Sequence, residues 1–221
     1  IGVYLPTDDA WAQFREGNVS VDEQMDALIG PKVMPQILNG GYNFDFVDDR
    51  AIASVALPYR IVILPRVERI PLSTLKKLDS WVRKGGILIA TRRTPSLAPG
   101  ISEAQADTPQ IKQLTKELFD GPHSGATFVQ DEDTLSETLA KLVPPDLALN
   151  SSSASVGFIH RRLSDGDIYF VANTANQPVH AKAAFRVKSL SSEMWDPFTG
   201  QSNPAVFERM GENTSLSLDL G

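Results

Sequence analysis

The run RIVILP, residues 60–65, places Ile61, Val62, Ile63 and Leu64 side by side with no polar residue between them. A strand with one wet face alternates apolar with polar, so an unbroken run of this length belongs to a strand covered on both faces, the condition of a central strand in a parallel sheet layered with helices. The segments around it fit that architecture. Residues 1–5 (IGVYL) and 44–47 (FDFV) read as further strands, and 87–91 (ILIAT) as the strand that follows. Between the third and fourth strands, Leu72, Leu75, Leu78 and Val82 recur at helical spacing, and Gly85 and Gly86 end that helix.

Ser20 and Glu23 have the spacing of a capping box, which starts a helix at Val21; Met25, Leu28 and Ile29 continue its apolar face. Pro31 and Pro35 predict that this helix either bends or restarts before Gly40 and Gly41. After a polar loop over 92–109 come a helix over 111–119, a strand over 127–130 and a helix over 134–142. Strand and helix in turn give an α/β domain, residues 1–143, with a five-stranded flavodoxin-like sheet.

The period changes at VPPDLALNSSSAS, where paired prolines and a serine run mark a domain boundary near Pro144. Beyond it, segments 156–163, 167–173, 181–187, 193–195, 205–208 and 215–220 alternate as half-buried antiparallel strands do. Asp165-Gly166 predicts a tight hairpin turn with positive φ. Residues 144–221 are therefore expected to form a small antiparallel β-sandwich, possible truncation included, since SLSLDLG stops where a further apolar strand is expected. The start on strand residues, without an initiator Met, fits a piece of a longer polypeptide.

Bulk chemistry excludes several functions. A net charge of -6 argues against nucleic acid, whose phosphates require a concentrated basic surface. The absence of cysteine removes thiol nucleophiles, disulfides and thiolate metal sites together. No apolar run approaches the roughly 20 residues of a membrane-spanning helix. The turn after Leu5 is PTDDAW, with no glycine until Gly17, so it cannot cradle a phosphate, and Asp8 and Asp9 would repel one. Those aspartates are read as a solvated turn or helix cap, with a hard cation as the alternative. His123, His160 and His180 lack the spacing of a zinc site, and we expect neither metal nor cofactor. Asp45, Asp48 and Asp49 are read as loop and cap residues beside Asp8 and Asp9; a glycosidase pair would need carboxyls about 5–10 Å apart across a sugar.

The stretch VGFIHRRLSDGDIYFVANTANQPV concentrates His160, Arg161, Arg162, Asp165, Asp167 and Asn173. Alternation puts Phe158 with His160 on one strand face and Gly157, Ile159 and Arg161 on the other. Two readings stay open: the polar side of a hairpin, with an arginine paired to Asp165 or Asp167, or a patch bordering a sugar site on an adjoining domain. Trp11 and Trp195 offer flat faces for sugar stacking, with burial the expectation for Trp195, while Trp81 falls on the core side of its helix.

The same stretch, with EMWDPFTG, YLPTDDAW, GYNFDFVDD and RIVILPRVERIPLSTLKKLDSWVRKGGILIAT, resembles the C-terminal part of large bacterial glycoside hydrolases of the α-L-rhamnosidase type. The resemblance implies an amidotransferase-like, flavodoxin-like domain and a β-sandwich following a catalytic barrel that this chain does not contain. It implies a carbohydrate substrate, that barrel as partner, and a periplasmic or extracellular location. No catalytic residue carries over, because the family's carboxylates belong to the barrel, and the cysteine chemistry of class I amidotransferases has no nucleophile here. An accessory region is thus expected, with an autonomous carbohydrate-binding module as the alternative.

Overall fold

The structure is a computed structural model that describes residues 1–54, 56–102, 104–121, 125–150, 155–188 and 191–221; His123 lies outside them. The chain divides into two compact units, Ile1–Gln36 with Phe44–Leu135, and Ile37–Asn43 with Ser136–Gly221. Among the described residues, no helix is long and apolar enough to cross a membrane.

In the first unit, β1 (Gly2–Tyr4), β2 (Asp45–Val47), β3 (Ile61–Pro65), β4 (Ile87–Thr91) and β5 (Ala126–Val129) form one parallel sheet in the order β2-β1-β3-β4-β5, the flavodoxin-like arrangement. All of β3 is buried, as its unbroken apolar run predicts. Helix α4 (Leu72–Arg83) buries Leu72, Leu75, Leu78 and Val82 in the core shared with Tyr4, Val62, Leu64 and Leu88. Trp81 packs against that core, and a Cβ on Gly86 would lie 2.3 Å from its ring, so the strand can approach the indole only at a glycine.

Other helices depart from the sequence reading. Two short ones, α1 (Thr7–Ala12) and α3 (Asp49–Ser54), stand where loops are expected. Helix α2 (Val21–Asn39) is broken at Gly30, φ 72° and ψ 170°, and restarts at Pro31, whose fixed φ and missing N–H suit a first helical position. Ser20 Oγ accepts from Glu23 N at 3.3 Å, one half of the expected capping box. Helix α5 (Ala104–Asp120) begins ahead of Pro109, which sits in its second turn and removes a hydrogen bond there without ending the helix.

The second unit is antiparallel. After α6 (Leu135–Leu142) come β6 (Leu147–Leu149), β7 (Val156–Arg162), β8 (Asp167–Asn173), β9 (Val179–Phe185), β10 (Glu193–Trp195), β11 (Ser202–Pro204), β12 (Glu208–Met210) and β13 (Asn213–Leu220). A four-stranded sheet, β12-β13-β9-β6, faces the β7–β8 hairpin, and β10–β11 forms a separate ribbon. Phe158, Tyr169 and Val171 from the hairpin pack on Leu147, Ala183, Phe185 and Leu218 from the sheet, which makes the sandwich core. Two expectations are corrected. Neither Asp165 nor Gly166 has positive φ; the turn is closed instead by Leu163 N donating to Gly166 O at 2.7 Å. The strand expected over 205–208 is two strands, β11 and β12, separated by residues 205–207.

Candidate functional site

Register brings the polar residues of the hairpin together. Antiparallel pairing sets His160 opposite Tyr169 and Arg162 opposite Asp167, and the inward face carries Phe158 and His160 as alternation requires. The imidazole stacks on the Tyr169 ring, centroids 4.2 Å apart and planes within 7°. Its Nε2 lies 2.7 Å from Asp167 Oδ1, and its Nδ1 3.6 Å from Asp146 Oδ1, an oxygen that also accepts from Arg186 Nη2. Asn43 finishes the arrangement: its Oδ1 accepts from His160 N at 2.9 Å and its Nδ2 donates to Phe158 O at 2.9 Å, a side-chain stand-in for the strand that β7 lacks on that edge. Burial, then the charges of Asp146 and Asp167, push the Tyr169 hydroxyl well above the usual phenol range. That hydroxyl and Arg186 Nε are buried without a hydrogen-bond partner among the described residues.

With only 10% of its side chain exposed, His160 has a carboxylate at each ring nitrogen, Asp167 within the hairpin and, farther off, Asp146 beside β6. Arg162 is largely exposed, 3.6 Å from Asp167 Oδ1, and Arg161 points to the opposite face, its Nη1 reaching His160 O at 3.3 Å. The pairing across the turn anticipated from sequence thus goes to Asp167, with His160 as the closer partner.

In the first unit, Asp8 and Asp9 lie in the first turn of α1. The reading of both as solvated is corrected for Asp9, which is fully buried and accepts from Glu68 N at 2.7 Å, Arg69 N at 3.1 Å and Arg69 Nη1 at 3.3 Å. A carboxylate taken out of water needs such donors, and the chain leaving β3 supplies them. Asp8 is half-buried; burial, then Asp49 and Asp9, raise its carboxyl above the ordinary range. Asp49 accepts from Tyr4 Oη at 2.8 Å and Thr74 Oγ1 at 2.6 Å, while Asp48 accepts from Ala51 N at 2.7 Å as a cap of α3.

Open α/β sheets bind ligands beyond the C-terminal ends of their strands. Here that end carries an ion-pair cluster. Arg66, just past β3 with φ 51°, donates through Nε and Nη2 to Glu132 at 3.1 and 2.6 Å, and Thr91 Oγ1 donates to the same buried carboxylate at 2.9 Å. Among the described residues, no group of three or more His, Cys, Asp or Glu is arranged to hold a metal ion. Grooves of about 600 and 390 Å³ flank the start of α4 at Pro71 and Ser73; Asp49 lines the smaller one, and Asp8, Asp9, Trp11, His160, Arg161, Arg162 and Trp195 line neither.

The tryptophans divide. Trp11 is 53% exposed on α1. Burial of Trp195 is corrected: it is 68% exposed, its Nε1 donating to Glu193 Oε2 at 3.0 Å, because every residue of the β10–β11 ribbon is exposed. Sequence reasoning missed Asn43, Glu132, Asp146, Tyr169 and Arg186. Tyr169 was reachable by counting back from the turn, since a hairpin that pairs 162 with 167 must pair 160 with 169. The others meet their partners only through tertiary structure.

Residues 22–209 match the family model described as alpha-L-rhamnosidase. The rhamnosidase from Novosphingobium sp. PP1Y is 25% identical in sequence with a TM-score of 0.67, over 81% of this chain and 19% of that one. A Formosa agariphila protein that bears the provisional name beta-glucuronidase is 25% identical over 203 residues, 86% of this chain and 17% of its own length. Gan42B, a GH42 beta-galactosidase, shares the fold at 12% identity, TM-score 0.57, over 99% of this chain and 40% of that one. The chain therefore spans about a fifth of the rhamnosidase it resembles. A family match over so much of the sequence, joined to a flavodoxin-like sheet and a sandwich, makes this chain a member of the alpha-L-rhamnosidase family of glycoside hydrolases.

Proposed function

We propose that the chain is a non-catalytic accessory region of a larger, exported α-L-rhamnosidase-type enzyme, and that its two units adjoin a catalytic barrel encoded elsewhere in the polypeptide. The observation that carries this reading is the engagement of Asp9, Glu132, Asp146 and Asp167 with side chains of the chain itself. Glycoside hydrolysis needs two carboxyls flanking a space that admits a sugar. Asp146 and Asp167 do flank a space, but the His160 ring fills it. Asp9 and Glu132 are buried against arginines.

The purified 221-residue chain is expected to release no aryl aglycone from aryl α-L-rhamnosides or aryl β-galactosides, whereas the longer polypeptide with its barrel does. Turnover by the chain alone, abolished by one carboxylate substitution, would overturn the reading. A second reading, an autonomous carbohydrate-binding module, is favoured by one observation: Trp195 and Phe198 are 68% and 98% exposed near the tip of the β10–β11 ribbon. Retention of the chain on a polysaccharide affinity gel, lost in Trp195→Ala with the fold intact, would select it.

A further inference from the structure

The two layers of the sandwich treat their outward faces differently. On the four-stranded sheet the exposed outward side chains of β9 and β13 are polar: His180 pairs with Asp219, Lys182 pairs with Glu208, and Ser217 lies opposite Lys182, as expected of a face in water. The outward face of the β7–β8 hairpin is apolar. Ile159 sits across from Phe170 and Arg161 across from Ile168, and Leu163 extends the row; the four apolar side chains are 48%, 54%, 45% and 49% exposed in the order Ile159, Phe170, Ile168, Leu163. With Tyr169 and Val171 in the core beneath, β8 is apolar on both faces, the composition of a strand that is covered on both.

We infer that this face, Ile159, Leu163, Ile168 and Phe170 around Arg161, is the docking surface for another domain of the same longer polypeptide, which presents an apolar patch to it. The inference rests on the accessory reading above and names where the accessory region is held. Two observations select this occupant. The chain spans 19% of the Novosphingobium rhamnosidase and 17% of the Formosa protein, so similar polypeptides carry much further sequence to supply the cover. The exposed parts of four side chains amount to a few hundred Å², against about 800 Å² per partner in a free-standing complex. That area is too small to hold a second copy and sufficient for a domain tethered at high effective concentration. A sugar is disfavoured because aliphatic side chains offer it no hydrogen bonds and Phe170 is the single aromatic ring of the row.

The chain has no cysteine, so an introduced thiol is the single one within these 221 residues and its peptide identifies it in the longer polypeptide. Ile168→Cys and, as the polar-face control, Ser217→Cys are placed one at a time in the longer polypeptide and in the 221-residue chain, and maleimide labelling at each site is followed by peptide mass spectrometry. In the longer polypeptide the Ile168→Cys thiol is expected to react at least about tenfold more slowly than the control; in the 221-residue chain the two rates should be comparable. Equal rates in the longer polypeptide overturn the inference. Protection already present in the 221-residue chain also overturns it, by showing a second copy where it grows with protein concentration and internal cover where it does not. Hydrogen exchange of β8 amides in the unmodified proteins makes the same comparison without substitution. Failure of the accessory reading appears separately, as glycoside turnover by the 221-residue chain.

Discussion

Remove the imidazole of His160 and two partly buried carboxylates, Asp146 and Asp167, are left with one partner fewer each while Tyr169 loses the ring stacked on it. His160→Ala is therefore expected to lower stability by about 1–3 kcal/mol, the cost of leaving buried polar groups unsatisfied. Urea denaturation measures it, and an unchanged midpoint would argue that the cluster holds nothing. Tyr42 gives a pH-dependent counterpart. Its hydroxyl donates to Val143 O at 2.6 Å, and burial, then the Asp146 charge, push it from 10.0 up to about 12. A phenol whose folded value lies above its unfolded one contributes stability that is complete below pH 10 and is lost as the pH rises towards 12. Tyr42→Phe should cost about 1 kcal/mol at neutral pH and decline less steeply than the wild type across that alkaline window. Parallel pH–stability curves for the two proteins would contradict the assignment.

Between α2 and β6 the structure depends on one backbone conformation. Gly41 has φ 82°, its carbonyl accepts from Asp146 N at 2.9 Å and Leu147 N at 3.2 Å, and a Cβ there would stand 1.9 Å from Leu147 O. The left-handed φ alone costs a non-glycine residue about 1–2 kcal/mol, and the clash adds to it by pushing β6 off its register with β9. Gly41→Ala should lose more stability than His160→Ala in the same urea experiment; a loss below 1–2 kcal/mol would mean the backbone accommodates the methyl group. Elements with a long enough pattern were legible in the sequence: β3 from an unbroken apolar run, α4 from four residues at helical spacing, β7 from alternation and β8 from its apolar residues just past the turn. The six-residue helices α1 and α3 span less than two turns, too short for a 3.6-residue period to declare itself. Strand β6 was hidden in a proline- and serine-rich stretch. Trp195 was misjudged because alternation shows which face a side chain takes and not whether anything covers it. At the candidate site, the crowding of charge around His160 was local and visible. Asn43, 117 residues away from His160, and Arg186, 40 residues from Asp146, arrive only through the tertiary fold.

At the scale of the molecule, the second unit is discontinuous in sequence, and this makes its independence testable. Residues Ile37–Asn43 belong with Ser136–Gly221, so the sandwich takes a strut from a part of the chain that precedes most of the parallel sheet. That strut supplies the Gly41 carbonyl to two amides at the start of β6, the Tyr42 hydroxyl to Val143 O, and the Asn43 amide to both His160 N and Phe158 O on β7. Each such bond is worth about 0.5–1.5 kcal/mol net, and a small domain holds only about 5–15 kcal/mol in all. Cutting the chain at Pro144, where composition changes, removes every one of them together with α6. A 144–221 fragment is therefore expected to lack the cooperative urea transition and the dispersed amide NMR spectrum that the 221-residue chain displays, although it retains every strand of the sandwich. If the fragment unfolds cooperatively at the same urea concentration as the full chain, the strut is dispensable and the sandwich is an independent module. The physical content of the prediction is that the β7–β8 hairpin, apolar on one outward face and pinned through Asn43 on its edge, does not hold its place by core packing alone.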